Sequence, residues 1–182
     1  HSVFLSPGYF VKAAADPWER AGAVQLRHRV FVEEQKLFAL HDRDEIDEDC
    51  TSLVALSTYA HEADEVVGTV RIHEPEPGLW WGSRLAVDSR FRHVGRLGRE
   101  LIRLAVSTAN GRGCHTFLAH VQAQNIAMFQ ALHWTVEEEI VLYGMVHARM
   151  RADLAAYPPI ADPEAGFLAL ARRAAPPAAI NW

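Results

Sequence analysis

The sequence predicts a single α/β domain, and three observations carry that reading. Apolar runs short enough for strands alternate with segments of helical period. The stretch 83–134, SRLAVDSRFRHVGRLGRELIRLAVSTANGRGCHTFLAHVQAQNIAMFQALHW, reads as strand, glycine-bearing turn, helix, strand and second short helix. At 182 residues, with 49% hydrophobic and 23% charged side chains, the chain is long enough for one sizeable core and too short for two ordinary domains.

The central stretch organises the rest. Leu85, Ala86 and Val87 form an apolar run that stops at Asp88 and Ser89, after which Arg92, Arg96 and Arg99 surround Gly95 and Gly98. Leu101, Leu104 and Ala105 follow at helical spacing. A turn that opens a helix leaves its first N–H groups without intrahelical partners, and the helix dipole makes that end partly positive. Such an end binds phosphate, and glycine lets the ligand approach the backbone. An ordinary strand-to-helix turn can carry the same glycines, so the weight lies in the ordered features around it.

Residues 9–15 read as the first strand. Asp16 and Pro17 signal a helix start, with Glu19 completing a capping-box-like spacing. Ala23, Leu26 and Val30 then share one helical face with Val24 and Phe31 beside them, and at 100° per residue Arg27 and Glu34 point to that same apolar side. Residues 41–49, HDRDEIDED, form an acidic run whose plain reading is a solvated loop. Strands are expected at 53–59 and 66–73, then at 80–87 feeding the turn; the helix at 96–110 stops at Gly111-Arg112-Gly113. A strand at 116–121, a short helix at 125–132 and a strand pair at 136–141 and 143–150 complete the expected domain, 1–159. The tail, 160–182, carries one expected helix at 163–173 and could dock on the domain, bridge a homodimer or be a linker remnant.

These features resemble the GNAT superfamily of N-acetyltransferases, whose central motif, Arg/Gln-x-x-Gly-x-Gly/Ala, cradles the pyrophosphate of acetyl-CoA. In Arg92-His93-Val94-Gly95-Arg96-Leu97-Gly98 the Arg and first Gly match, Leu97 stands where the second Gly usually falls, and Gly98 comes one place late. VFVEEQ at 30–35, VVGTVR at 66–71 and VQAQN at 121–125 leading into LHW at 132–134 fall where a GNAT chain would put them. More narrowly, RxxGxLGxxLI, AHVQAQN, LHW and the closing Ala152-Asp153-Leu154 to Tyr157-Pro158-Pro159 are similar to the bacterial nitrogen-starvation N-acetyltransferase family, whose genes are typically found beside a nitrilase. The resemblance covers roughly residues 9–159. It implies a mixed, mostly antiparallel sheet of about six or seven strands, flanked by helices and splayed between the strands at 80–87 and 116–121. It also implies acetyl-CoA-dependent N-acetyltransfer to a small amine-bearing metabolite, in nitrogen metabolism.

Acetyl transfer needs a polarised thioester carbonyl, a deprotonated amine, a proton for the leaving thiolate and alignment of both substrates. The resemblance assigns the backbone of Leu85, Ala86 and Val87 to pantetheine and the oxyanion, and the turn Arg92, His93, Val94, Gly95, Arg96, Leu97, Gly98 and Arg99 to the pyrophosphate. Gln122 and Asn125 are expected to bond pantetheine, although Asn125 could equally cap a helix. Phe129 occupies the place where many family members carry a tyrosine acid, and is expected to line the coenzyme site without that hydroxyl. Tyr143 and His120 are the substitutes by residue type. Glu34 is the first candidate base and His120 the second, since an imidazole titrates near neutral pH.

Arg71 and Arg84 lie in apolar strands, where a buried arginine is costly unless paired. With Arg27 they either pair with Asp44, Asp47 or Glu34 for structure or grip an acceptor carboxylate. The same arginines, with Phe31 and Ser83, also resemble acyl-homoserine-lactone synthases, although Trp81 stands where those enzymes carry an acidic residue. A non-catalytic CoA-binding module serving a partner protein is the remaining alternative.

A net charge of −5 lacks the footprint of nucleic-acid binding. No apolar run suggests a membrane span and no signal peptide is visible. Cys50 and Cys114 make neither a disulfide framework nor a zinc pattern, and the histidines show no metal-ligand spacing. A cytoplasmic protein without a metal is therefore expected, and His1 is read as a processed start.

Overall fold

The computed structural model describes residues 8–94 and 96–170. In chain order these form β1 (Gly8–Ala13), α1 (Pro17–Arg27), β2 (Thr51–Tyr59), β3 (Glu62–Glu76), β4 (Leu79–Val87), α2 (Leu97–Gly111), β5 (Thr116–Gln122), α3 (Ile126–Ala131), β6 (Trp134–Leu142), β7 (Met145–Ala152) and β8 (Phe167–Leu170). The strands make one eight-stranded sheet in the order β6-β7-β5-β4-β3-β2-β1-β8. Its neighbours run antiparallel except β4 and β5, which are parallel.

Helices cover both faces of the sheet centre, which is why β2 reads as an unbroken buried run from Leu53 to Thr58 instead of alternating. On one face α1 brings Ala23 and Leu26 against Val54, Leu56 and Val66. On the other, α2 lays Leu97, Leu101, Leu104 and Ala105 over the larger cluster with Val67, Val70, Phe117 and Trp134. Burying a side chain of that size contributes about 1.5–3 kcal/mol, so the α2 face alone supplies much of the driving force.

The parallel pair is short. β4 bonds β5 only from Leu79 to Gly82, opposite Thr116 to Ala119. At Arg84 the backbone turns left-handed (φ 55), and the β3–β4 register slips between Thr69 and Arg71. A bulge of this kind bends a strand and re-aims its side chains, and a left-handed arginine persists only where its surroundings hold it. Beyond it β4 stays with β3 while β5 pairs with β7 through Gln122 and His147, which leaves a V-shaped fork.

Several expectations change in detail. The sheet has eight strands where about six or seven were expected, with the same fold class. The Asp16 side chain makes no cap bond; Glu19 instead accepts from the Ala15 N–H at 2.9 Å and from Lys12 Nζ at 2.7 Å. The helix expected at 163–173 is, over its described part, a turn followed by β8, and residues 171–173 lie outside the described set. Two contacts lead the chain there: Ile160 N–H donates to Ser107 O at 3.0 Å, and Pro163 O accepts from Ala13 N–H at 2.7 Å. Phe167 to Leu170 then pair with the free edge of β1, which no helix-period argument could supply.

Candidate active site

The fork opens toward the start of α2. Asp88 closes the end of β4 by accepting from the Arg90 N–H at 3.0 Å, and a short turn through Phe91 leads to Arg96, left-handed at φ 51, from which α2 begins. Leu97, Gly98 and Arg99 are the first residues of a fifteen-residue helix, so their N–H groups have no intrahelical acceptor. Arg92, His93, Arg96 and Arg99 are exposed around them, whereas Val94 and Leu97 send their side chains into the core and offer backbone alone. A Cβ on Gly98 would meet only Val87, at 4.0 Å, so that face of the turn is open. Gly95, expected here, lies outside the described residues. Leu85 lines the fork, and Ala86 turns its methyl to the α1 cluster.

A cavity of about 520 Å³ runs from this fork through the sheet. Its walls include Phe38, Asp44, Arg71, His73, Trp81 and Arg84 from the α1 side, and Gln122, Asn125 and Phe129 from the end of β5 onward. The Asn125 side chain makes no helix-cap bond. Gln122 donates to Gln35 Oε1 at 3.0 Å across the cavity. Phe129 is buried edge-on against Trp134, with ring centroids 5.0 Å apart.

Glu34 needs correction. The prediction placed it with Arg27 on one α-helical face, but α1 gives way at His28 to a π-helix, His28–Glu34, closed by Gln35 N–H donating to Val30 O. A π-helix has more residues per turn, so Glu34 rotates off that face. It does not line the cavity; its carboxylate is 41% exposed and accepts from Arg92, whose Nε also donates to Val87 O at 3.0 Å. Tyr143 borders the cavity. It sits in the β6–β7 turn at φ 52, 58% exposed, edge-on to Phe38 at the cavity rim.

His120 does face the cavity, its ring 4.7 Å from that of Trp81. Partial desolvation, then the nearby His147 and Arg149, hold its pKa below the ordinary histidine value, so it is neutral near pH 7. His147 is buried, with Nδ1 3.0 Å from Met145 O. His73 lies one strand over from Trp81, its Nδ1 buried without a partner among the described residues, and burial likewise depresses its pKa.

The three arginines form a cluster with three aspartates from the acidic run. Arg71 makes a two-pronged contact with Asp44 at 2.6 and 2.8 Å and donates to Ser83 Oγ at 2.8 Å. Arg27 reaches Asp42 and Asp47, each at 2.6 Å, and Arg84 reaches Asp42 at 3.2 Å and Asp44 at 3.3 Å while stacking 4.6 Å from Phe38. The Arg71 contact holds the Asp44 carboxyl below the usual range. Burial alone would raise Asp47, but Arg27 and Arg71 drive it well down. Arg27 is buried and does not border the cavity; Arg71 and Arg84 border it with their charge already balanced. Of the two roles expected for these arginines, the pairing with Asp44 and Asp47 is present and fastens residues 42–47 over the sheet, while Arg71 and Arg84 also border the cavity.

Sequence reasoning missed His73, Trp81, Gln35 and Phe38. His73 was within reach, since it shares a strand face with Arg71 two residues earlier. Gln35 and Phe38 follow the π-helix, which leaves no periodic signal to read.

A forked parallel pair, a glycine-bearing helix start at its open end and a cavity through the fork define an acyltransferase that takes an acyl-CoA co-substrate. The chain belongs to the acetyltransferase (GNAT) family, which it matches over residues 15–155. A comparison with curated proteins finds no match. Among solved structures it is similar to a Lactobacillus plantarum protein described as an N-acetyltransferase, at 24% identity and TM-score 0.71 over 80% of this chain and 98% of that one. An acyl-CoA N-acyltransferase from Pseudomonas aeruginosa gives 21%, 0.63, 80% and 99%. The CoA-dependent acyl-homoserine lactone synthase BjaI gives 18%, 0.62, 80% and 83%. At these identities the likeness concerns the fold. Among the described residues no helix is long and apolar enough to cross a membrane.

Proposed function

We propose that the chain is an acyl-CoA-dependent N-acyltransferase acting on a small amine-bearing metabolite, with acetyl-CoA as the donor that its family resemblance implies. The observation that carries this reading is a cavity that passes through the β4–β5 fork, on whose β4 side the chain leads into the open start of α2. The pyrophosphate fits the Leu97, Gly98 and Arg99 amides and the surrounding arginines. Pantetheine follows the unpaired edge of β4 past Gln122 and Asn125, and a β4 amide receives the developing oxyanion. The amine nitrogen attacks the thioester carbon from the side of His120, which takes the amine proton as the carbon–sulfur bond breaks. Phe129 offers no hydroxyl, so the departing thiolate takes its proton from water. The likeness of its motifs to the nitrogen-starvation N-acetyltransferases supports a cytoplasmic role in nitrogen metabolism without a metal.

The test is release of free thiol from acetyl-CoA with a panel of small amines. The expected result is turnover above the protein-free rate for at least one amine. Binding without turnover across the panel would favour a non-catalytic CoA-binding module. The paired arginine cluster also supports a lactone-synthase-like reading, which turnover confined to long-chain thioesters, carried by acyl carrier protein or by CoA, would favour.

A further inference from the structure

The charged and histidine side chains of the cavity all lie at one end, beside the apolar Phe31, Leu37 and Phe38 of the α1 cluster. On the α1 side its wall carries Asp44, Arg71, His73, His120 and His147. On the α2 side it is made by Ile102, Ala105, Phe117, Ala119, Phe129 and Trp134, all members of the main apolar core. The alternation of β5 produces this split, because Phe117, Ala119 and Val121 face α2 while His120 and Gln122 face the other way. An amine and its base belong at the polar end. The apolar end cannot bond an amine, and it begins at the fork where a thioester carbonyl would sit.

Small residues keep this end open. Ala105 on α2 and Ala119 on β5 border it with methyl groups alone, and Phe117 lines it beside them. Phe117 reaches that position because Gly82 has no side chain; a Cβ there would come within 3.1 Å of the ring. Phe129 and Trp134 also line it, their rings packed edge to face. An acetyl group has no use for such a recess.

We propose that this recess receives the acyl chain, so that the site takes linear acyl groups of about four to eight carbons and binds them more tightly than acetyl, each buried methylene adding up to about four-fold in affinity. The proposal rests on the reading of the fork as the donor site. Ala105, at the mid-helix wall, sets the length limit.

Calorimetric titration of the full chain with CoA, acetyl-CoA and hexanoyl-CoA tests it without knowledge of the acceptor. Hexanoyl-CoA should bind at least ten-fold more tightly than acetyl-CoA. Ala105→Leu should bring that ratio close to one, and Ile102→Val, which removes a methylene and keeps the fold, should raise it for octanoyl-CoA. Equal binding of acetyl- and hexanoyl-CoA overturns the recess while leaving the donor site intact. Failure of all three ligands to bind overturns both.

Discussion

In the proposed mechanism the protonation of His120 decides whether an amine can lose its proton at the polar end of the cavity. Its pKa lies below the ordinary value, about 6.5, and the neutral ring is the active form. Turnover should therefore rise as pH increases through that lowered value and level off by neutrality. His120→Gln should lower turnover roughly 10²-fold and remove the acid limb, while Glu34→Gln, outside the cavity, keeps turnover within a few-fold. Pre-steady-state rates of both variants from pH 5 to 9 decide between them; full activity in the His120 variant with loss in the Glu34 variant would restore Glu34 as the base. The arginine cluster has its own residue-level consequence. Asp42 is 2% exposed between Arg27 and Arg84, so Asp42→Asn leaves buried positive charge uncompensated. Such a loss costs about 3 kcal/mol and should lower Tm by about 6–12 °C, measured by calorimetry. Asp44 and Asp47 have depressed folded pKa values, so their stabilisation is present above the unfolded aspartate value, about 3.9, and is lost as pH falls below it. Denaturant titrations between pH 7 and pH 3 should show stability declining in that acid window; a decline confined to alkaline pH would contradict the assignment.

At the scale of elements, the end of the π-helix engages two side chains that the donor would use. Glu34 holds Arg92, and Gln35 holds Gln122, on opposite sides of the fork. An exposed ion pair is worth about 1 kcal/mol or less, so the double variant Glu34→Gln with Gln35→Ala should bind CoA up to about five-fold more tightly. Unchanged affinity would mean that these contacts do not compete with the ligand. The same elements separate what sequence could supply from what it could not. α2 was legible because Leu97, Leu101, Leu104 and Ala105 keep a helical period, and the strand pairs because polar turns bound them. Glu34 was misplaced because the periodic argument assumed an α-helix through His28. The left-handed bulge at Arg84 and the docking of β8 on β1 depend on tertiary partners, Asp42 and the β1 edge, that lie far along the chain.

Across the whole molecule, one irregularity joins two otherwise separate faces of the sheet. The short β4–β5 pairing opens a fork beside the start of α2, and in the proposed reading a donor anchored there presents its thioester to the pocket bordered by the arginine cluster. The central claim is that the start of α2 binds the pyrophosphate. A ligand at 100 times its Kd stabilises by about 2.7 kcal/mol, which for a domain of this size is a rise of about 5–11 °C in Tm. The most direct measurement is therefore the melting temperature of the parent and of Gly98→Leu with saturating CoA, NAD or ATP. A Cβ at this position meets only Val87, at 4.0 Å, and the melting temperature of the ligand-free variant separates any effect on the fold from the effect on the ligand. The account predicts a large shift with CoA, a much smaller one with NAD or ATP, and loss of the CoA shift in the variant. A Gly98→Leu protein that binds CoA as well as the parent would contradict it.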